Sequence, residues 1–450
     1  MTLSTAVPGM LGQDELGLLR DDFLSDPSYR LAQNAVTRVS IDDVAINREI
    51  LNAADHTTSK RLDDWSVTDQ ARSGRCWLFA GLNLLRAGVS KKLGVKDFEF
   101  SQNYVMFWDK LERANYLLEA IIATADRDID DRRVAHLLDS VAADGGQWDM
   151  FVAIIRKHGL VPKPFMPETE SSGNTGRMNT VLRALLRQGA QQLREIARRD
   201  QDEARLAKAD VLKVVHRVLS IHLGSPPEHF LWQWMDKDNG FHRDGKLSPS
   251  EFAAEYVELP LHDYVCLVND PRPSSPMGRT FTVEFLGNIV EGPPVLYLNV
   301  GIEVMKELAA GLLADDQPVW FGCDVSKMMS NEYGVWDAKL FDLPALYHTS
   351  FQMTKADRLL MHESAMTHAM LFTGVDIVDG KPRRWRVENS WGSKKGKEGF
   401  YTMNDSWFDE YLFEVAVPRD RLAPELREAL DAEPIVLPPW DPMGALARGQ

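Results

Sequence analysis

Only three cysteines occur in 450 residues, Cys76, Cys266 and Cys323, an odd number with no CxxC pair. That excludes a disulfide framework of the secreted kind and a cysteine-built zinc site. No apolar run is long enough to cross a bilayer, and Met1 to Asp26 lacks both the basic start and the continuous apolar stretch of a secretion signal, so a cytoplasmic protein is expected. Basic residues are in deficit, 51 against 66 acidic, for a net charge of −15. A broadly basic face for nucleic acid is therefore excluded. Neither Walker nor Rossmann glycine patterns are present, and no nucleotide is implied. The run Asp236-Lys237-Asp238-Asn239-Gly240 is not a calcium loop, because Phe241 stands where the turn glycine belongs and Leu247 where the bidentate glutamate belongs. No cofactor and no metal are expected.

The most informative stretch is Gln70-Ala71-Arg72-Ser73-Gly74-Arg75-Cys76-Trp77-Leu78-Phe79-Ala80. Trp77, Leu78, Phe79, Leu82, Leu84 and Leu85 are apolar nearly all round, as in a helix sunk between two layers. Gly74 supplies the sharp turn that opens it. Free backbone N–H groups and the positive end of the helix dipole would then face the Cys76 sulfur and favour its thiolate. Gln70, six residues upstream, is placed to donate an amide hydrogen to an oxyanion. Cys266 and Cys323, in apolar β-rich runs, read as inert core residues.

A base and an orienting group lie far downstream. His368 opens the β-rich run Ala369 to Val378, bounded by Asp379-Gly380, and reads as the first residue of a buried strand. In the following strand Trp385, Val387, Asn389 and Trp391 share one face by the period of two. A buried Asn on an apolar face needs a partner, since an unpaired amide costs about 1–3 kcal/mol. An imidazole N–H would serve.

Taken together, the motifs Gln70…Ser73-Gly74-Arg75-Cys76-Trp77, Met366-Thr367-His368-Ala369-Met370 and Trp385-Arg386-Val387-Glu388-Asn389-Ser390-Trp391-Gly392 resemble those of the bleomycin hydrolase/aminopeptidase C group of papain-like cysteine peptidases. Asp144-Gly145-Gly146-Gln147-Trp148-Asp149-Met150, Trp320-Phe321-Gly322-Cys323-Asp324-Val325 and Trp440-Asp441-Pro442-Met443-Gly444-Ala445-Leu446-Ala447 extend the resemblance over nearly the whole chain. About 290 residues separate Cys76 from His368, against about 130–150 in the papain pattern. A large insertion is therefore expected.

The resemblance implies an α+β fold of the papain-like, two-lobed kind with a helical insertion and a C-terminal arm. Residues 1–60 would form an N-terminal arm and entry segment, in which the weakly amphipathic stretch Met10 to Leu24 docks on the surface or on a neighbouring subunit. Residues 61–175 would form the helical lobe with the nucleophile, 176–262 a charged helical insertion that hooks subunits into a homo-hexamer, 263–436 the β-rich lobe, and 437–450 the arm in the cleft. It also implies Cys76 as nucleophile, His368 as base, Asn389 orienting the imidazole, Gln70 in the oxyanion hole, Trp77 and Trp391 in support, and Gly145 and Gly146 as a rim that pairs with the substrate backbone.

In the resembled group the tail makes the enzyme an aminopeptidase: a terminal alanine, here Ala447, presents its carboxylate to the free amine of the peptide. Pro438, Pro439 and Pro442 hold Leu437 to Pro442 extended. Arg448-Gly449-Gln450 run past that alanine, and self-trimming back to Ala447 would restore the arrangement. The implied activity is intracellular hydrolysis of N-terminal residues from peptides, and of bleomycin-like amides, through a thioester. The alternative, if the extension abolishes amine recognition, is an endopeptidase or an acyl transferase on the same fold.

Overall fold

The computed structural model describes residues 9–62 and 65–448, with side chains as far as 446. The chain forms two compact units, residues up to 54 with 339–352, and 55–338 with 353 onward.

The smaller unit is helical. Asp26 caps the helix Pro27–Val36 by accepting from the Ser28 N–H, with Pro27 at its first position. Asn47 caps Arg48–Ala53 in the same way. The helix Gln13–Ser25 buries none of its residues, and Leu11, Leu18, Leu19 and Leu24 are exposed.

The larger unit sets helices against a twelve-stranded sheet. His368–Val378 is central. On one side it pairs with Lys381–Glu388, followed by Phe400–Asn404, Val335–Trp336 and Met329–Ser330; on the other come Val319–Cys323, Leu412–Pro418, Tyr264–Val268, Tyr297–Asn299, Thr280–Val283 and Ile435–Leu437, and the twelfth strand, Lys60–Arg61, pairs with the Gly374-Val375 segment of the central strand. One face packs against the helix Cys76–Leu93 through Trp77, Trp148 and Trp320. The other carries Phe321, stacked on Phe372 at 3.9 Å, under the helices Ile302–Ala314 and Asp405–Tyr411. Burial on both faces explains why these strands read as continuous apolar runs.

The first three turns of the helix Cys76–Leu93, as far as Arg86, are buried on all sides because helices Gln102–Ala123 and Trp148–His158 and the sheet pack around them. The helix stops at Gly94, whose left-handed φ of 65° lets its N–H reach the Ser90 and Lys91 carbonyls. At the other end the expected turn glycine is not the strained residue: the left-handed φ belongs to Ala71, at 52°. Gly74 is needed for space, since a Cβ there would stand 3.0 Å from the Asp144 Cβ.

Residues 176–262 differ from an all-helical reading. Helices Gly176–Ala197 and Gln201–Leu223 are present, but Phe230–Met235 and Phe241–Leu247 form an antiparallel hairpin before the helix Pro249–Tyr256. Alternation of Phe230, Trp232 and Trp234 supplies its inward face, which packs on Phe98, Phe165 and Phe252. The turn is the polar Asp236–Gly240 run, with Asp236 accepting from the Asp238 and Gly240 N–H groups.

The tail also departs from an extended arm. Ile435–Leu437 joins the sheet parallel to Thr280–Val283, but Pro442–Gly444 is a 3-10 turn and Ala445–Arg448 a helical one. Asp441 caps the turn by accepting from the Met443 N–H, with Pro442 at the first position.

Candidate active site

Cys76 is the first residue of its helix, 3% exposed. The preceding turn is rigid because the buried Arg75 guanidinium makes a two-pronged contact with Glu168, at 2.9 and 2.7 Å, and reaches back to the Ser73 hydroxyl at 2.9 Å. Burial pushes the Cys76 thiol up to about 11, against the N–H groups of Ala369, Trp77 and Cys76 itself, which point at the sulfur and pull it down. The Ala369 N–H places the start of the His368 strand beside the sulfur.

His368 is the first residue of its strand, opposite Cys323 on the neighbour. Its Nε2 lies 3.0 Å from Asn389 Oδ1, which sets Nε2 as donor and leaves Nδ1 as the basic nitrogen. Trp391 lies against the imidazole with ring centroids 5.0 Å apart. Burial drives the His368 pKa down to about 4, with the Asn389 bond opposing. A lone charge is thus disfavoured on either Cys76 or His368. The resting forms that burial favours are the thiol and the neutral imidazole, with Nδ1 free to accept a proton.

Gln70 is brought to the same place by backbone pairing with the Asn389 loop: its N–H donates to the Ser390 carbonyl at 2.8 Å, and the Gly392 N–H donates to the Thr68 carbonyl at 3.1 Å. The Gln70 Nε2 donates to the Ser73 carbonyl at 2.6 Å, and its Oε1 accepts from the Ser390 hydroxyl at 2.6 Å. The structure therefore brings together Cys76, His368, Asn389 and Gln70. Gly145 and Gly146 are buried, and a Cβ on Gly146 would penetrate the Trp77 indole; that ring is pinned by its Nε1 donating to the Asp144 carbonyl at 2.8 Å. Ala447 lies in the short terminal helix, while residues 449 and 450 lie outside the described residues.

Several positioning residues were not singled out in the sequence. Glu388, next to Asn389 and fully buried, accepts from Arg86 at 2.6 Å and from Asn83 at 2.9 Å. Both belong to the Cys76 helix, so one carboxylate locks the strand leading to Asn389 onto the helix that carries the sulfur. Their signal was a polar Asn and Arg inside an otherwise apolar helix. Lys110 similarly fixes Asp144 at 2.5 Å; burial raises the Asp144 pKa but Lys110 outweighs it and holds the carboxyl low. Ser390 ties Gln70 to Asn389. His362, near His368 in sequence, is exposed with a left-handed backbone and stands outside this cluster.

Comparison with known proteins agrees with this geometry. The chain is 47% identical over 381 residues to aminopeptidase C of Listeria innocua, covering 85% of this chain and 86% of that protein. It is 41% identical over 450 residues to human bleomycin hydrolase, covering 97% and 99%. The crystal structure of PepW from Lactobacillus rhamnosis HN001 superposes with a TM-score of 0.95 at 41% identity, over 98% of this chain and all of that one. The α+β, papain-like fold expected from the sequence is the fold observed. The model of the Peptidase C1-like family matches residues 10–444, and the chain belongs to that family.

Proposed function

We propose that the protein is a cysteine aminopeptidase that removes single residues from the N-terminus of peptides, bleomycin-like amides included. The observation that carries this reading is the contact at His368, whose Nε2 faces Asn389 while the neighbouring Ala369 N–H faces the Cys76 sulfur.

The Cys76 sulfur attacks the scissile carbonyl as its proton passes to His368. The developing oxyanion takes the Cys76 N–H and the second amide hydrogen of Gln70, the first being engaged by Ser73. Such a donor is worth about 3–4 kcal/mol. Imidazolium protonates the leaving amine, a thioester remains on Cys76, and His368 activates the water that releases it. Asn389 and Trp391 keep the ring in place through both steps, and the Gly145-Gly146 backbone forms the rim for the extended substrate.

The tail supports exopeptidase action. The Met443 carbonyl accepts from the Tyr297 hydroxyl at 3.2 Å and lies 3.5 Å from the Gln147 amide nitrogen, directly after Gly145-Gly146. A chain seated beside the glycine rim is placed to limit how much of an extended substrate the cleft accepts on that side. Trimming to Ala447 would present a carboxylate to the substrate ammonium, a charge-assisted contact that a blocked peptide cannot make. We further propose a cytoplasmic homo-hexamer; sedimentation of the purified enzyme tests the subunit count. Mass spectrometry of peptide digests tests the activity. Stepwise loss of N-terminal residues, absent in Cys76→Ala, is the expected result. Internal cleavage, or adducts with an added amine, would favour the endopeptidase or the acyl transferase.

A further inference from the structure

Between residues 434 and 447 Asp441 is the single charged side chain. It is buried, and so is its partner Arg272. The guanidinium grips Asp441 with both terminal nitrogens, Nη2 to Oδ1 at 2.9 Å and Nη1 to Oδ2 at 3.0 Å. Its remaining contacts hold it in the β-rich half: Nε and Nη2 donate to Asp270 at 2.8 and 2.6 Å. Asp270 in turn accepts from the Ser275 hydroxyl at 2.7 Å, and its own N–H donates to Asn299 at 2.9 Å. Burial works against the Arg272 charge, but the two carboxylates outweigh it and raise its pKa.

The carboxylate that Arg272 grips also shapes the tail. Asp441 Oδ1 accepts from the Met443 N–H at 2.9 Å and so sets the turn Pro442–Gly444. Met443 then delivers its carbonyl to Tyr297 and Gln147, the residue after the glycine rim. The strand Ile435–Leu437 is held by its own pairing with Thr280–Val283, closed by the Glu284 N–H donating to the Leu437 carbonyl at 2.9 Å; beyond it, the Asp441 and Met443 contacts are joined by apolar burial of Met443 and Leu446 and by a stacking of Arg132 on Trp440 at 3.8 Å. Apolar burial is non-directional, so it holds the tail down without fixing which residue lies where. A two-pronged guanidinium–carboxylate pair is directional, and a slip of one residue would break it.

We propose that Arg272 is a specificity-determining positioning residue: by clamping Asp441 it fixes the register of the C-terminal tail on the cleft and thereby the selection of peptides with a free amine. The proposal rests on the reading, given above, that the tail discriminates the amine. Asp441→Asn is the cleaner variant, because Arg272 keeps Asp270 and no buried charge is left unpaired. Arg272→Lys is the second variant; it keeps the charge and loses the fork.

The test uses the full-length enzyme with aminoacyl-coumarin substrates, N-free and N-acetylated, alongside amide hydrogen exchange of the 439–447 peptide. In Asp441→Asn the tail peptide should exchange at least tenfold faster. The acetylated-to-free ratio of kcat/KM should rise at least tenfold, mainly through a higher KM for the free substrate. Arg272→Lys should move both readouts in the same direction by less. Unchanged tail exchange in both variants overturns the clamp and leaves the amine-reading tail standing. A freed tail with an unchanged ratio overturns the amine-reading tail, and the proposal falls with it.

Discussion

The Ser390 hydroxyl donates to Gln70 Oε1 at 2.6 Å, and the Ser390 N–H donates to Asn389 Oδ1 at 2.8 Å. One residue therefore sets the orientation of the amide proposed for the oxyanion and steadies the amide that holds His368. Gln70→Ala should lower kcat by about 10²–10³-fold with a smaller effect on KM. Ser390→Ala removes only orientation and should cost about 1 kcal/mol, or roughly fivefold in kcat. Steady-state kinetics on one free dipeptide substrate checks both.

The pH profile follows from burial. Burial keeps His368 neutral down to about pH 4 and Cys76 neutral up to about 11, so between these limits the thiol holds a proton and the imidazole is free to take it up during attack. Activity of the pair should be flat across neutral pH and fall below about pH 4–5. With a free-amine substrate, kcat/KM should also fall above about pH 8, where an α-amino group loses its charge. An acetylated substrate in a tail-released variant should lack that alkaline limb.

Glu388 makes a structural prediction. Removing it in Glu388→Ala leaves Arg86 buried without its carboxylate, which should cost about 3–5 kcal/mol of stability. Thermal or urea unfolding measures this, and activity should fall with it because the Asn389 strand loses its tie to the Cys76 helix.

Much of this site was legible in the sequence because its elements are strongly patterned. The all-apolar run after Cys76 and the β-rich run after His368 each have one plausible structure, and both begin at the residue expected. The hairpin Phe230–Leu247 was missed because its two strands are short and charged at the turn, so its alternation competes with a long helical neighbourhood. The helical end of the tail was hidden by its prolines, although Asp441-Pro442 is itself a helix-start signal. Contacts such as Glu388 with Arg86, some 300 residues apart in sequence, depend on tertiary packing that no local pattern encodes.

Glu414 provides a test of the buried core. It is fully buried, with neither oxygen of its carboxyl finding a hydrogen-bond donor within reach among the described residues, and burial, with Asp149 adding to it and the Cys266 thiol opposing, raises its pKa to about 8. Because the folded pKa lies above the unfolded one, the proton is bound more tightly in the fold. The stabilisation is complete below about pH 4.5 and is lost as pH rises towards 8. The neutral isostere Glu414→Gln should therefore gain stability relative to wild type by about 1.4 kcal/mol per pH unit over this window. Melting curves at pH 5 and pH 8 measure the difference.

The central claim is that Cys76 attacks peptides selected by their free amine. It is tested most directly by hydrolysis of one fluorogenic dipeptide, free and N-acetylated, by wild type and Cys76→Ala in parallel. The account predicts cleavage of the free form alone, abolished in the variant. Equal cleavage of both forms by wild type would contradict selection by the tail, and cleavage surviving in Cys76→Ala would contradict the nucleophile itself.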